Sequence, residues 1–550
     1  MSRLTSDQVS GQVLDHLGLV AATIDTHGLI SEIDKRLPVS KNKGAKVTMG
    51  QRVAAMILNG LGFVNDRLYM FPDFLENKPV DRLLGKGLCA ADFNDDAQGR
   101  CLDAIYAYGT TKLISELSFE VGRSCGLLGK SVHIDTTTLS VYGDYKDANE
   151  EGLLPTYGYS KQKRMDLKQV VLSLATSGSA NLPIWMASHD GNASDKKTLK
   201  QTAQRIKTFC QQLEGAPSFI YVADSAMYES CVQDGSKLSW LSRVPERLTK
   251  AKALVQKPEQ EITWQELENN YRIFSQPSQY KGVDQRWLLV YSPKAYERES
   301  KTLDRRIQKE WEAQKKALWR LSKQTFQCEA DANLALTSFK KKLKYHQAEL
   351  SIKPIWGHKG KGRPKKGVKP TMIGFQMSGT LKADTPAIES IRQSKGRFIL
   401  ATNVSQQELS DADMLSEYKA QSKIETGFKF IKDDTFELDS IFLKNPQRIE
   451  ALMGVMTLCL MVYNLAQHRL RETLKAKNET VLNQLKKPTQ NPTMAWIFRQ
   501  FHGVQLWCIN RGKSMEKLVV NVKEHLAKIV RLFGEKAMEI YAVAPKKLKP

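Results

Sequence analysis

Three acidic residues, Asp135, Asp224 and Glu425, have types and positions that favour chemistry at a metal ion. Asp135 lies in residues 132–138, a β-branched run that predicts a strand, where a charge is costly unless it is paired or binds a cation. Asp224 directly follows the apolar residues 219–223, and ligands of open α/β sheets gather at the carboxyl ends of strands. Either Asp alone is more simply a turn or helix cap, but two of them in one sheet predict a site.

Glu425 would complete this site from a helix. A rotation of about 100° per residue brings Tyr418, Gln421, Glu425 and Lys432 within about 60° of one another on one helical face. The simpler interpretation is an amphipathic helix with solvated charges, and the pattern gains weight only because it follows the two strand Asp residues. Carboxylate oxygens are the ligands that Mg²⁺ prefers, and two ions about 4 Å apart promote in-line phosphoryl displacement. The three carboxylates therefore predict a site for two Mg²⁺ ions, with Mn²⁺ as an alternative.

The elements that must position these residues follow a β-β-β-α-β order. Strands are predicted at 132–138, 169–175 and 182–187, a helix at 194–213, and a buried strand at 219–223. This alternation of strands and helices stops near residue 245, and regular structure resumes with a strand at 397–403. The fold class is therefore an α/β core interrupted by a mixed α/β insertion, with helical N-terminal and C-terminal regions.

The same changes of pattern divide the chain into five segments. The first is a helical region for binding DNA ends or for dimerisation, the second and fourth are the two parts of the core, the third is an insertion with a basic segment, and the last is helical. Their bounds are 1–128, 129–244, 245–395, 396–475 and 476–550. Thr48 is expected to cap a helix in the first segment.

Charge points to a polyanionic partner. The 550 residues contain 82 Lys and Arg against 59 Asp and Glu, a net charge of +23, and such an excess typically serves nucleic acid binding. Residues 338–370 hold eleven Lys or Arg and one acid, Glu349. Within them Arg363, between Gly362 and Pro364, is placed to enter a narrow DNA minor groove, and a flexible basic linker that contacts phosphates fits the segment equally well.

Other features indicate a soluble protein of a reducing compartment. The eight cysteines contain no C-x-x-C pair and are expected to be reduced and mostly buried. The N-terminus lacks an apolar signal core, and the apolar run 451–466 is shorter than a membrane span, which favours a buried core helix. We therefore expect a cytoplasmic protein with no membrane partner.

At these residues the sequence resembles the DDE transposases of bacterial insertion sequences. One group of them carries the signature Y-x2-R-x3-E-x6-K, and Tyr418, Glu425 and Lys432 match its spacing, whereas Gln421 stands in place of Arg. The stretches G-L-G-F-V-N-D-R-L-Y-M-F-P-D-F-L-E-N, G-Y-S-K-Q-K-R-M-D-L-K-Q-V and S-W-L-S-R-V-P look like the same family.

The resemblance implies a ribonuclease-H-like core with Asp135, Asp224 and Glu425 as catalytic residues. It implies an enzyme that binds terminal inverted repeats, cleaves the element's ends and joins 3′-hydroxyls to target DNA. It also implies a homodimer on double-stranded DNA in the bacterial cytoplasm at the nucleoid. Tyr418, Gln421 and Lys432 would then contact DNA, with Gln421 donating a hydrogen bond where Arg would bind a phosphate.

Two other functions fit the same residues. A structure-selective nuclease would share the core but lack the joining step, so that a pre-cut 3′-hydroxyl end would not be joined to a target. A non-catalytic DNA-binding repressor derived from a transposase is the second, and Gln421 favours it slightly. Under that second function, Asp135→Ala would change only DNA affinity.

Overall fold

The computed structural model describes residues 9–39, 46–62, 71–145, 152–160, 164–213, 217–233, 238–358, 367, 369–431, 440–441, 443, 445–511 and 514–545. The chain divides into two units. Unit 1 consists of Met1–Ser242 and Ser416–Pro550, and unit 2 of Arg243–Leu415. Asp135, Asp224 and Glu425 all belong to unit 1.

Unit 1 begins with a short strand followed by helices. They are β1 (Val9–Val13), α1 (Leu17–Thr26), α2 (Leu29–Arg36), α3 (Met49–Gly60), α4 (Phe71–Glu76), α5 (Val80–Leu83), α6 (Asp95–Tyr108) and α7 (Thr110–Ser124). Thr48 caps α3 as predicted, because its Oγ1 accepts from Gln51 N at 3.2 Å while Gln51 Oε1 accepts from Thr48 N at 2.9 Å.

The sheet of unit 1 comes next in the chain. Its elements are β2 (Ser131–Val141), β3 (Lys168–Ser177), β4 (Leu182–His189), α8 (Asp195–Gln212), β5 (Ile220–Ala223), α9 (Ser225–Gln233) and β6 (Ser239–Arg243). In space the strand order is β4-β3-β2-β5-β6. The pairs β4–β3 and β3–β2 are antiparallel, whereas β2–β5 and β5–β6 are parallel. The antiparallel half arises because β2, β3 and β4 follow one another, and the parallel half because α8 and α9 cross over between strands.

Unit 2 contains two antiparallel sheets and several helices. Its elements are α10 (Thr249–Val255), β7 (Gln265–Glu266), β8 (Arg272–Tyr280), β9 (Val283–Tyr291), α11 (Pro293–Lys323), β10 (Thr325–Phe326), α12 (Glu329–Lys340), β11 (His346–Gly357), β12 (Thr371–Ala383), α13 (Thr385–Gln393), β13 (Arg397–Thr402) and most of α14 (Asp411–Ala420). One sheet has the order β13-β9-β8-β7 and the other β10-β12-β11.

The remaining elements return to unit 1. They are α15 (Ser422–Ile431), β14 (Ser440–Ile441), α16 (Pro446–Ala476), β15 (Val481–Leu482), β16 (Pro488–Thr489), α17 (Met494–Gln500), β17 (Gln505–Asn510), β18 (Met515–Val520), α18 (Glu524–Phe533) and α19 (Glu535–Tyr541). Helix α16 includes the apolar run and packs against α1, α3, α6, α7 and β4. It is long and apolar enough to cross a membrane by length and composition alone, but 83% of its most apolar window is buried inside the protein. The prediction of a buried helix at 451–466 is confirmed.

The terminal regions were predicted to be helical, and they also contain a small sheet. β1 pairs antiparallel with β17, which pairs with β18, so the N-terminal and C-terminal regions share a three-stranded sheet. The physical reason is visible in Q-L-W-C-I-N and M-E-K-L-V-V, which are too short for a stable helix and rich in residues that favour strands.

Cysteine burial also differs from expectation. The cysteines of the described part of the chain are free, but only Cys101, Cys210 and Cys459 are buried. Cys89, Cys125 and Cys328 are exposed, so the expectation of mostly buried thiols is wrong.

Candidate active site

Asp135 lies in the middle of a buried strand that pairs on both sides. Every residue of β2 is buried except Asp135, which is half-buried. Its Oδ1 accepts a hydrogen bond from Thr136 N at 2.7 Å. Partial burial of the Asp135 carboxylate in this strand costs free energy, and a cation beside the carboxylate would offset that cost.

Asp224 occupies the first position after β5 and is exposed. Its Oδ1 accepts from Ala226 N at 2.9 Å at the start of α9, and its main-chain carbonyl accepts from Ser242 Oγ at 2.6 Å. The side chain therefore performs the capping role that the simpler interpretation assigned to it. A capping bond to one oxygen leaves a carboxylate with further acceptor sites, so capping and metal binding are compatible.

The strand register brings the two Asp residues to the same level on adjacent strands, Asp135 in the middle of β2 and Asp224 just after the end of β5. β2 and β5 run parallel, and their last register pair is His133 with Val222. Two residues beyond this pair, β2 carries Asp135 and the chain leaving β5 carries Asp224. Since paired positions of parallel strands face the same side and neighbouring strands lie about 4.8 Å apart, this arrangement favours a shared ligand.

Glu425 is presented by α15, whose buried face packs on the sheet. Ile424, Phe428 and Ile431 are buried and Glu425 is exposed. The helix packs against β2 and β3. The apolar stripe therefore fixes the helix on the sheet while the carboxylate stays accessible to a ligand.

Gln421 connects this helix directly to the strand of Asp135. Its side chain is only 9% exposed. Its Nε2 donates to Ile134 O at 3.0 Å, and its Oε1 accepts from His133 Nδ1 at 3.2 Å. α14 ends at Ala420 and α15 begins at Ser422, so Gln421 is the turn residue between two helices and not part of one continuous helical face as the sequence predicted. Glu425 follows four residues later on α15, so this pair of bonds helps to set the distance of Glu425 from the strand.

A second contact reinforces the first. Glu417, on α14 one turn before Gln421, accepts a hydrogen bond from Ser131 Oγ and lies 3.5 Å from His133 Nε2. The hydrogen bond to His133 and then that to Ser131 lower the pKa of Glu417, against the effect of its partial burial. His133 is thus a buried, hydrogen-bonded histidine.

The sequence did not single out Glu417 or this network. The available signal was the spacing of residues 417, 421 and 425, which repeats every four residues and would place all three on one face of a continuous helix. That spacing indicates neither the break between α14 and α15 at Gln421 nor the strand that these residues contact.

The predicted site residues are only partly brought together. Within the described residues, no group of three His, Cys, Asp or Glu side chains is close enough to hold a metal ion jointly. Tyr418 is half-buried on α14. Lys432 and Arg363 lie outside the described residues. Gln421 is buried with both amide atoms bonded, and its predicted contact with DNA stays a prediction.

A family model described as "Transposase DDE domain" matches residues 130–465, more than half of the chain. The chain belongs to this family of DDE transposases. The protein is therefore a DDE-type DNA transposase, as the resemblance implied. The matched range contains both Asp residues and Glu425.

Other comparisons add less. Residues 9–119 of the transposase match a domain of unknown function (DUF4277). A cryo-EM structure of the piggyBac transposase synaptic complex with hairpin DNA is similar, with 12% identity, 90% of this chain and 82% of that chain covered, and a TM-score of 0.36. No curated protein matches the chain.

Proposed function

We propose that this transposase binds the terminal inverted repeats of its element, cleaves the DNA and joins the 3′-hydroxyl ends to target DNA. Asp135, Asp224 and Glu425 are the catalytic residues of the proposal, within a ribonuclease-H-like core. The observation that carries it is the placement of two Asp residues at the same level on adjacent parallel strands, with Gln421, which directly precedes the Glu425 helix, hydrogen-bonded to one of those strands.

The donor set fits two Mg²⁺ ions, with Mn²⁺ as an alternative, because all three groups offer hard carboxylate oxygens. When bound, the ions activate the attacking oxygen and stabilise the leaving oxygen of the displaced phosphate. Asp135 and Asp224 would hold ligands from the sheet, and Glu425 from the helix. The triad is open in this structure, so the proposal requires closure of the three carboxylates when DNA and metal bind.

The remaining surface is assigned to DNA and to a second copy of the chain. Tyr418, Lys432 and Arg363, with Gln421 through its amide, would contact double-stranded DNA at the element ends or the target. Residues 1–128 would bind DNA ends or form the contact of a homodimer on DNA, and 245–395 would act as the insertion. The enzyme would work in the bacterial cytoplasm at the nucleoid.

The test is metal-dependent nicking of plasmid DNA and joining of a pre-cut 3′-hydroxyl duplex to a target. Asp135→Asn, Asp224→Asn and Glu425→Gln should each lower both rates by at least about a hundredfold, since each removes a charge that holds metal. Chelation by EDTA should abolish both activities, and added Mg²⁺ or Mn²⁺ should restore them. Glu120→Gln is the matched control, because Glu120 is exposed on α7 of the same unit.

The outcomes separate the three functions. A wild-type protein that nicks but never joins a pre-cut end is a nuclease. A wild-type protein that binds DNA and does neither, with Asp135→Asn unchanged, is a repressor. Either result overturns the proposal.

A further inference from the structure

A basic cavity of about 550 Å³ lies in unit 1 between α15, α16 and the segment around residues 491–495. Its walls are cross-linked by hydrogen bonds. Asn181 Nδ2 donates to Lys423 O at 3.2 Å, and Asn464 Nδ2 donates to Asn181 O at 2.9 Å. Tyr463 Oη accepts from Ala495 N at 3.1 Å. The cavity is therefore a fixed part of the fold.

The charged residues that line it are nearly all cationic. They are the cations Lys423, Lys429, Arg471 and Lys475, with a single acid, Glu472, and His468 also lines the cavity. Glu472 is neutralised by Lys475 at 2.9 Å. Burial lowers the pKa of His468, Glu472 partly opposes this effect, and Lys475, Arg471 and Lys423 lower the pKa further. Such a concentration of positive charge is unfavourable unless an anion offsets it.

Arg471 is oriented for an anionic ligand. Its side chain is half-buried, and burial lowers its pKa. Its Nε donates to Pro492 O at 3.0 Å, which fixes the plane of the guanidinium. The two terminal amino groups have no hydrogen-bond partner among the described residues. A fixed guanidinium with free terminal donors matches a phosphate group.

The cavity continues from the surface that carries Glu425. At about 100° per residue, Lys429, Thr426 and Lys423 stand about 40°, 100° and 160° around α15 from Glu425. All four residues are exposed, and the last three line the cavity. The exposed face of α15 therefore extends from Glu425 into the cavity that Arg471 also lines, so a DNA strand bound at Glu425 could continue along it.

We propose that this cavity binds the phosphodiester backbone of duplex DNA next to the catalytic site, with Arg471 and the lysines of α15 and α16 contacting successive phosphates. The proposal rests on the proposed function, because it assigns the DNA path from Glu425. Its simplest alternative is a solvated charged face that binds no DNA.

The experiment measures binding of a fluorescein-labelled DNA duplex by anisotropy at salt concentrations between about 50 and 200 mM. The test variant combines Lys423→Gln, Lys429→Gln and Lys475→Gln. The control variant removes the same charge from exposed lysines of unit 1 that lie outside residues 1–128 and outside the cavity, by Lys486→Gln, Lys517→Gln and Lys523→Gln. Circular dichroism of both checks that they fold.

Removal of three phosphate contacts should reduce the slope of log affinity against log salt by about 2.7, since each contact contributes about 0.9. Affinity near 50 mM salt should fall at least about tenfold. The control variant should keep a slope close to that of the wild type. Equal slopes for the two variants would show that only overall charge matters and would overturn the inference.

The catalytic proposal is tested separately in the same assay. Asp135→Asn should retain the wild-type salt slope while losing nicking. If the wild type never cleaves DNA but the cavity variant still has a reduced salt slope, the proposed chemistry is refuted and the DNA path remains supported. If the wild type cleaves DNA but the cavity variant keeps the wild-type salt slope, the DNA path alone is refuted.

Discussion

Replacement of Gln421 by methionine tests whether its amide holds the Glu425 helix on β2, the strand that carries Asp135. Methionine has a similar length and is apolar, so the change removes the bonds to Ile134 O and His133 Nδ1 and keeps most of the packing. Each lost bond is worth about 1 kcal/mol, and the buried partners left without a bond increase the cost. Local opening of α15 should therefore become easier by about 2 kcal/mol.

Hydrogen exchange read by mass spectrometry measures this directly. A change of about 2 kcal/mol corresponds to roughly thirtyfold faster exchange of the amides of α15 and of the neighbouring part of β2. Nicking should fall together with protection, because Glu425 loses its fixed distance from Asp135. Gln204→Met, on the exposed face of α8, is the matched control and should change neither quantity.

Two results would refute this reasoning. Unchanged exchange in α15 would mean that the apolar stripe alone fixes the helix. Reduced nicking with unchanged exchange would mean that Gln421 acts on DNA itself, as its position in the signature predicted. Gln421→Glu is informative as well, because a carboxylate accepts from His133 but cannot donate to Ile134 O.

The remaining predictions concern stability. Burial lowers the pKa of His16 to about 4, so its ring is neutral in the fold while the unfolded chain takes up a proton below pH 6.5. The free energy of unfolding should therefore keep its full value above pH 6.5 and be lower by about 2 kcal/mol at pH 5, as measured by urea denaturation. His16→Gln should flatten this pH dependence, and an equal slope in the variant would contradict the assignment. Gly178 has a φ of +72°, and an added Cβ would lie 1.7 Å from Leu127 O. Gly178→Ala should therefore destabilise by more than about 2 kcal/mol, whereas Gly87→Ala, with a φ of +83° and nothing within 4 Å, should show only the backbone strain of about 1 kcal/mol. Equal losses for the two glycine variants would rule out the close approach.

The local patterns of the sequence predicted strands β2 to β5, because the residues of these strands form short runs that are β-branched and apolar. Residues 132–138, for example, lie within Ser131–Val141, and residues 182–187 within Leu182–His189. The position of Asp224 was predictable for the same reason, since it directly follows an apolar strand.

Contacts between distant residues were not predictable. Gln421 bonds to a carbonyl 287 positions earlier, and no local pattern indicates which strand a helix face will contact. The pairing of β1 with β17 escaped prediction for the same reason, as did the strands of the C-terminal region, which are too short for a clear periodicity.

The sheet that joins β1 to β17 has a consequence for synthesis of the protein on the ribosome. Gln12 and Cys508 of this sheet are 496 residues apart in the chain. β1 must therefore wait, with its edge unpaired, until the residues of β17 have emerged. Unit 1 cannot complete this sheet before that moment, so a translation product interrupted before β17 would lack it.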